Sequence, residues 1–171
     1  MLSDLDIKEY LKKGRIKIKP INQDQIGQAS VDLTLSDEWW VFKNKYLDGR
    51  IVDLSEVSFK EATKKINSKS ITLQHDEVCL AKTVEKITLP PDVMGILGGR
   101  SRYARMGLTV HITSAVVQPG SNNHQVLEIV NFAPFPIKLH TGMRVSQIFF
   151  QKMESKTSRP YSQFGKIAKK Q

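Results

Sequence analysis

From Arg15 onward the chain is a succession of short segments rich in β-branched and aromatic residues, each closed by turn residues. RIKIKPI alternates basic and apolar positions and then meets Pro20, which fits an edge strand or a strand end. ASVDLTL alternates with a period of two, and WWVF is a short apolar strand. KEATKKINSKS, residues 60–70, is polar and lysine-rich and reads as a solvated loop. EVCLAKTVEKITL reads as two consecutive short strands before the Pro90–Pro91 break, and DVMGILGG is apolar and ends in glycines. LTVHITSAVV is β-branched, and QPGSNNH, residues 118–124, is a dense turn signal. VLEIVNF, FPIKL and RVSQIFF follow at hairpin spacing, with turns at Ala133–Pro134 and Thr141–Gly142. Many short strands with turns about every 8 to 12 residues predict an all-β fold, a distorted barrel or jelly-roll-like sandwich.

Helical signals are confined to the N-terminus. Over residues 2–14, Ser3 is a good N-cap, Asp6 completes a capping-box pair, and Leu2 and Ile7 occupy the staple positions. Leu11 extends the apolar stripe and Gly14 supplies a stop. With 171 residues, 40% of them hydrophobic, the chain suits one domain with a sizeable core. The stretch from about residue 153 to 171 lacks a buried-strand pattern and reads as a mobile tail that orders on a ligand.

No apolar run approaches a membrane span, and the N-terminus lacks the charge and apolar pattern of a signal peptide. Cys79 is the single cysteine, which removes any internal disulfide framework and points to a reducing compartment, the cytoplasm. The net charge of +9 favours polyanionic partners: nucleic acid, phosphorylated small molecules or anionic surfaces. That charge is concentrated in the lysine-rich C-terminus and in Gly99–Arg105, which holds three arginines and no acid.

In that second segment, Gly98-Gly99-Arg100-Ser101-Arg102-Tyr103-Ala104-Arg105-Met106-Gly107, two glycines let the backbone turn sharply and approach a ligand. Ser101 opens a short helix ending near Gly107, and Arg100 and Arg102 are bidentate phosphate donors. A surface turn with solvated arginines has the same composition. Glu128 stands in the middle of VLEIVNF, sharing a face with Val126 and Val130 while Leu127 and Ile129 point the other way. Such a carboxylate is either a structural partner for an arginine, a residue of an edge strand, or a general base whose proton affinity is set by burial and nearby cations. His75, His111, His124 and His140 show no metal-ligand spacing, and His111 reads as a satisfied core histidine within a strand. A Pro-Cys-x-x-Cys zinc site of the zinc deaminases is absent from the sequence. Trp39 and Trp40 face opposite ways in a strand and suit packing better than base stacking.

Together, GRSRYARMGLTVHIT, a turn with PG, VLEIVN and GMRVSQIFF resemble the dCTP deaminase branch of the dUTPase-like superfamily. The N-terminal SDLDIKEYLKKGRIKIKP, ASVDLTL and the tail RPYSQFGKI are similar to that family's opening and closing segments. The resemblance implies a dUTPase-like β-barrel with a short N-terminal helix and few small helices. It implies a homotrimer with active sites between subunits and zinc-free hydrolysis of dCTP to dUTP and ammonia. It also implies Mg²⁺ carried by the triphosphate and feedback inhibition by dTTP. It places the catalytic glutamate at Glu128 and its partners at Ser101 and Arg105. It places phosphate contacts at Arg100 and Arg102, the cytosine edge at the backbone of Ser114 and Ala115, the sugar at Gln118, and the phosphate-closing tail at Tyr161, Lys166 and Gln171.

Three departures stand out. Gln118 replaces an aspartate usual in the family, Arg102 replaces a serine, and SNN replaces a glycine-containing turn. Glutamine still hydrogen-bonds a sugar hydroxyl but cannot act as a carboxylate, which weakens triphosphate hydrolysis more than deamination. The alternatives are a bifunctional enzyme that also cleaves dUTP to dUMP and pyrophosphate, a dUTPase alone, or a basic, non-catalytic β-domain binding nucleic acid. The absence of clustered aromatics at alternate strand positions speaks against the last, so no nucleic-acid partner is expected.

Overall fold

A computed structural model describes residues 1–49, 51–111 and 113–165. Helix α1 (Asp4–Lys12) begins as its caps dictate, with the Ser3/Asp6 capping box complete and Leu2 and Ile7 buried. Gly14 ends it at φ +66°, a conformation glycine adopts without Cβ strain. After β1 (Lys17–Lys19), the long strand β2 (Ser30–Phe42) buries Val31, Leu33, Leu35 and Trp39 and turns Asp32, Thr34 and Trp40 outward.

The lysine-rich stretch 60–70 is not a loop. It contains the end of helix α2 (Phe59–Ala62), strand β3 (Thr63–Asn67) and the start of β4 (Ser70–Leu73). Strand β3 is an edge strand on β2, with Lys64 and Lys65 opposite Val41 and Trp40. Charges suit an edge, where they oppose aggregation, and that made the segment look solvated.

EVCLAKTVEKITL forms one strand, β5 (Val78–Thr88). Its pairing with β9 (Asn122–Asn131) slips between Lys82 and Lys86. Thr83 Oγ1 takes up the irregularity by donating to the Glu85 carbonyl. The buried Glu85 carboxylate accepts from Gln25 Nε2 at 2.7 Å and the Thr34 N–H at 2.8 Å. LTVHITSAVV, by contrast, is split into β7 (Leu108–Val110) and β8 (Val116–Val117). These two strands lie at opposite ends of the main sheet.

Among the described residues the main sheet runs β7-β9-β5-β2-β11-β6-β8, where β6 is Val93–Gly99 and β11 is Arg144–Lys152; β1 adds to β5 and β3 to β2. Because β7 and β8 are joined by residues 111–115 alone, the sheet has to curl until its ends meet. A Cβ on Gly99 of β6 would stand 3.9 Å from Val110 of β7. The result is the distorted β-barrel expected from the sequence, with β10 (Ile137–His140) pairing with β4 in a separate ribbon. Ile148, Phe150, Val145, Leu127, Ile129 and Trp39 fill its interior.

Candidate active site

Glu128 is carried by β9 opposite Leu80 of β5. Leu127 and Ile129 are fully buried, so the alternation throws Glu128 onto the outer face of the sheet, beside the half-buried Val126 and Val130. Its side chain is 34% exposed, yet Oε2 is buried and accepts no aligned hydrogen bond. Among the described residues it is the sole buried side-chain polar atom without a hydrogen-bond partner. Such an acceptor is a place for a water or a ligand N–H.

The neighbour of that oxygen is His111, whose Nδ1 lies 2.9 Å from Oε2 but off the axis of a good hydrogen bond. The same nitrogen accepts from the Glu128 main-chain N–H at 3.4 Å. His111 is not in a strand. It sits just past β7 at φ +54°, with its N–H donating to the Glu128 carbonyl at 2.8 Å. A histidine held in the left-handed region is strained, and strain of this kind collects at functional sites.

Ser101 and Arg102 lie on the short helix α3 (Ser101–Ala104), with Arg105 at its C-cap; all three are exposed. The Arg102 guanidinium lies 5.6 Å from the Tyr103 ring. Gly107, at φ +82°, ends this turn, and a Cβ there would fall 2.7 Å from the Ala133 backbone nitrogen. The same contact is closed by Phe132 N–H donating to the Gly107 carbonyl at 2.9 Å. Helix α3 is thereby fixed to the end of the strand that carries Glu128. No hydrogen bond or ion pair among the described residues joins Glu128 to Ser101 or Arg105 of the same chain.

Arg100 lies along the outer face of the sheet, against Asp32. Its Nη2 lies 3.1 Å from Asp32 Oδ2 and its Nη1 donates to the Arg144 carbonyl at 3.1 Å. Burial pushes the Asp32 carboxyl up, against the pull of Arg100 and Arg144.

The Ala115 carbonyl accepts from Leu97 N–H at 2.7 Å, and Ser114 is exposed. The exposed Gln118 opens a turn whose carbonyls receive the C-terminal segment: Tyr161 N–H donates to Pro119 and Ser162 N–H to Gly120. Helix α4 (Tyr161–Phe164) follows. Gln118 and Tyr161 thus line one pocket of about 370 Å³, with Met94, Arg159 and Phe164. Lys166 and Gln171 lie outside the described residues.

Sequence reasoning missed two members of the site, His111 and Asp32. His111 lay inside a run with strong strand propensity, and nothing local marked its positive φ. Asp32 faces outward between buried Val31 and Leu33, which the alternation does show, but its partner is remote in sequence.

Residues 1–153 match the dCTP deaminase-like family. Curated relatives include "dCTP deaminase, dUMP-forming" of Methanosphaera stadtmanae, 39% identical over 94% of this chain and 83% of that protein. Another is "dCTP deaminase" of Rhodospirillum rubrum, 37% identical over 94% of this chain and 87% of that protein. Among solved structures, the 2'-deoxycytidine 5'-triphosphate deaminase of Agrobacterium tumefaciens superposes with a TM-score of 0.68 at 21% identity, covering 88% of this chain and 47% of that one. The native EIAV dUTPase superposes with a TM-score of 0.55 at 17% identity, covering 85% of this chain and 92% of that one. The barrel is therefore the dUTPase-like fold. With the family's match running from the N-terminus through the end of β11, the chain belongs to the dCTP deaminase-like family.

Proposed function

We propose that the protein hydrolyses dCTP to dUTP and ammonia, with Glu128 as general base and then general acid. The observation that carries this reading is the unpartnered, buried Oε2 of Glu128 on a half-buried sheet face. Attack of water at C4 of cytosine needs an acceptor for the water's proton and a donor to the departing amine. One carboxylate placed between them does both in turn. The oxygen of the water stays on C4 and the amine leaves as ammonia. His111 lies against the carboxylate from the protein side.

Ser101 and Arg105 are the partners of Glu128 in this reading. No hydrogen bond or ion pair among the described residues joins them to Glu128 of their own chain, and in this reading a second copy supplies them. The outer face around Glu128 supports this: Val126, Val130, Leu80, Val78 and Trp40 are apolar and only half-buried, as an interface between subunits requires. A homotrimer closes such a heterologous contact into a ring. Ser101 then holds the water or the exocyclic amine, and Arg105 keeps Glu128 ionised. The backbone at Ser114 and Ala115 reads the cytosine edge, Gln118 the sugar, and Arg100, Arg102, Tyr161, Lys166 and Gln171 the phosphates, over which the 153–171 tail closes. Mg²⁺ enters with the triphosphate as part of the substrate. dTTP, with the same triphosphate, competes for this site as an inhibitor. No helix among the described residues is long and apolar enough to cross a membrane, and the enzyme works in the cytoplasm on free nucleotide.

The second reading, a bifunctional enzyme forming dUMP, is favoured by the name of the M. stadtmanae relative. Gln118, which offers no carboxylate to orient a water at the phosphates, favours dUTP as the final product. Incubating the protein with dCTP and Mg²⁺ while assaying ammonia and pyrophosphate together tests both. Ammonia without pyrophosphate is expected; no ammonia overturns the main reading, and equal amounts establish the second.

A further inference from the structure

We infer that Asp32 is a positioning residue that holds Arg100, and through it the turn carrying Ser101 and Arg105, in the arrangement that binds nucleotide. The inference rests on the proposed reading of the site as a dCTP deaminase.

Asp32 of β2 stands opposite Gln147 of β11, and Gln147 opposite Gly98 of β6, so the three residues form one row across the sheet. Side chains in this row and the next grip the Gly98–Arg100 backbone. Ser146 Oγ donates to the Gly98 carbonyl at 3.0 Å and Gln147 Nε2 to the Gly99 carbonyl at 3.1 Å. Ser30 Oγ donates to Gln147 Oε1 at 2.9 Å and fixes that amide. The Arg100 N–H donates to the Val145 carbonyl at 3.1 Å. The last link is Arg100 itself, forked between Asp32 Oδ2 and the Arg144 carbonyl.

Helix α3 has no other device at its start. Arg100 is its N-cap residue and provides no side-chain cap. A four-residue helix without a cap has little stability of its own. Its direction is therefore set by the residues that precede it, and Asp32 is the anionic anchor among them. The Asp32 side chain is 16% exposed, and a carboxylate so covered needs a cation. Arg144 pulls on Asp32 from a distance but pairs directly with Asp24, its Nη1 lying 2.9 Å from Asp24 Oδ2. Arg100 is the matching cation, and its planar fork is needed to reach the carboxylate and the Arg144 carbonyl together. Charge alone does not replace it.

A double-mutant cycle on Asp32→Asn and Arg100→Lys tests this, reading kcat and KM for dCTP, the dCTP Kd by calorimetry, and Tm. Each single variant is expected to lower kcat/KM by about 10- to 100-fold, the scale of one charge-assisted hydrogen bond, with most of the loss in KM. The double variant is expected to be no worse than the worse single one. Multiplicative losses overturn the inference, as does a lowered Tm with kcat/KM and Kd unchanged. Should Asp32→Asn fail to fold, Arg100→Lys alone decides: it keeps the positive charge, so wild-type kcat/KM and Kd overturn the brace. Should the wild type release no ammonia, the proposed reaction is wrong, and the cycle is read on dCTP Kd instead.

Discussion

His111 and Glu128 hold each other at two points: the His111 N–H donates to the Glu128 carbonyl at 2.8 Å, and His111 Nδ1 lies 2.9 Å from Glu128 Oε2. The main-chain bond continues the β7–β9 register by one residue, and the strand ends at His111, whose φ is +54°. The residue that ends β7 is thus the one that orients the proposed base.

Glu128→Gln keeps the size and one acceptor oxygen but cannot take a proton. Loss of general acid–base catalysis lowers turnover by about 10²- to 10⁴-fold. Steady-state ammonia release should fall by that amount while dCTP affinity stays within a few-fold. Turnover within tenfold of wild type would show that another group takes the proton.

Replacing His111 separates backbone strain from side-chain function. Glycine relieves the left-handed conformation, whereas alanine retains a penalty of about 1 kcal/mol. His111→Gly should therefore be more stable than His111→Ala by about that amount in urea denaturation, while both lose deamination for want of the imidazole. Equal stabilities would mean that the backbone relaxes at this position.

Gly107→Ala meets both a φ of +82° and the Ala133 backbone nitrogen at 2.7 Å. Neither the chain of Ala133 nor the turn can move without breaking the Phe132–Gly107 hydrogen bond. A loss of at least about 2 kcal/mol in unfolding free energy is expected, with reduced kcat/KM because α3 shifts relative to β9. A variant as stable as wild type would show that the approach of the two segments is not tight.

The strands were legible in the sequence wherever one face is fully buried. VLEIVNF is the clearest instance: Leu127 and Ile129 are inside, and Val126, Glu128 and Val130 are half-covered, as the alternation requires. Where a strand lies at an edge the signal fades, and β3, with two outward lysines, looked like a loop. The break at His111 was invisible because β-branched neighbours mask a single positive φ. For the site, the resemblance points to Glu128 of β9 and to Ser101 and Arg105 at α3 as the proposed chemistry-bearing residues. What Arg100 touches could not be read from the sequence, because that depends on how β2, β11 and β6 lie side by side.

Cys79 gives the fold a dependence on alkaline pH. Burial pushes its thiol up to about 12, against an ordinary value near 8.5. The thiol stays neutral in the folded protein while the unfolded chain ionises, so its contribution is fully present below about pH 8.5 and is lost as pH rises toward 12. At pH 10 the loss is about 2 kcal/mol. Cys79→Ala carries a constant cavity penalty but no ionisation, so its stability deficit against wild type should shrink between pH 8 and pH 10 in parallel denaturation curves. A deficit independent of pH would show that the thiol is reached by solvent.

In the proposed reading Gln118 determines the product. Its side chain faces the pocket shared with Tyr161, at the turn onto which the C-terminal segment is hydrogen-bonded through Pro119 and Gly120. A carboxylate in that place would orient a second water toward the phosphates, whereas an amide binds the sugar without activating anything. Gln118→Asp restores the residue usual in the family with a side chain one methylene shorter, and the turn is preserved because Ser121 closes it on the main-chain carbonyl of residue 118. With dCTP as substrate the variant should release pyrophosphate and dUMP where the wild type accumulates dUTP, with ammonia formation changed less than about tenfold because Glu128 is untouched. Phosphorus NMR of the two reaction mixtures separates the outcomes. Pyrophosphate from the wild type at the rate of ammonia would mean that the carboxylate is supplied elsewhere, and its absence from the variant would mean that the Ser121–Asn122–Asn123 rim, rather than residue 118, withholds the second reaction.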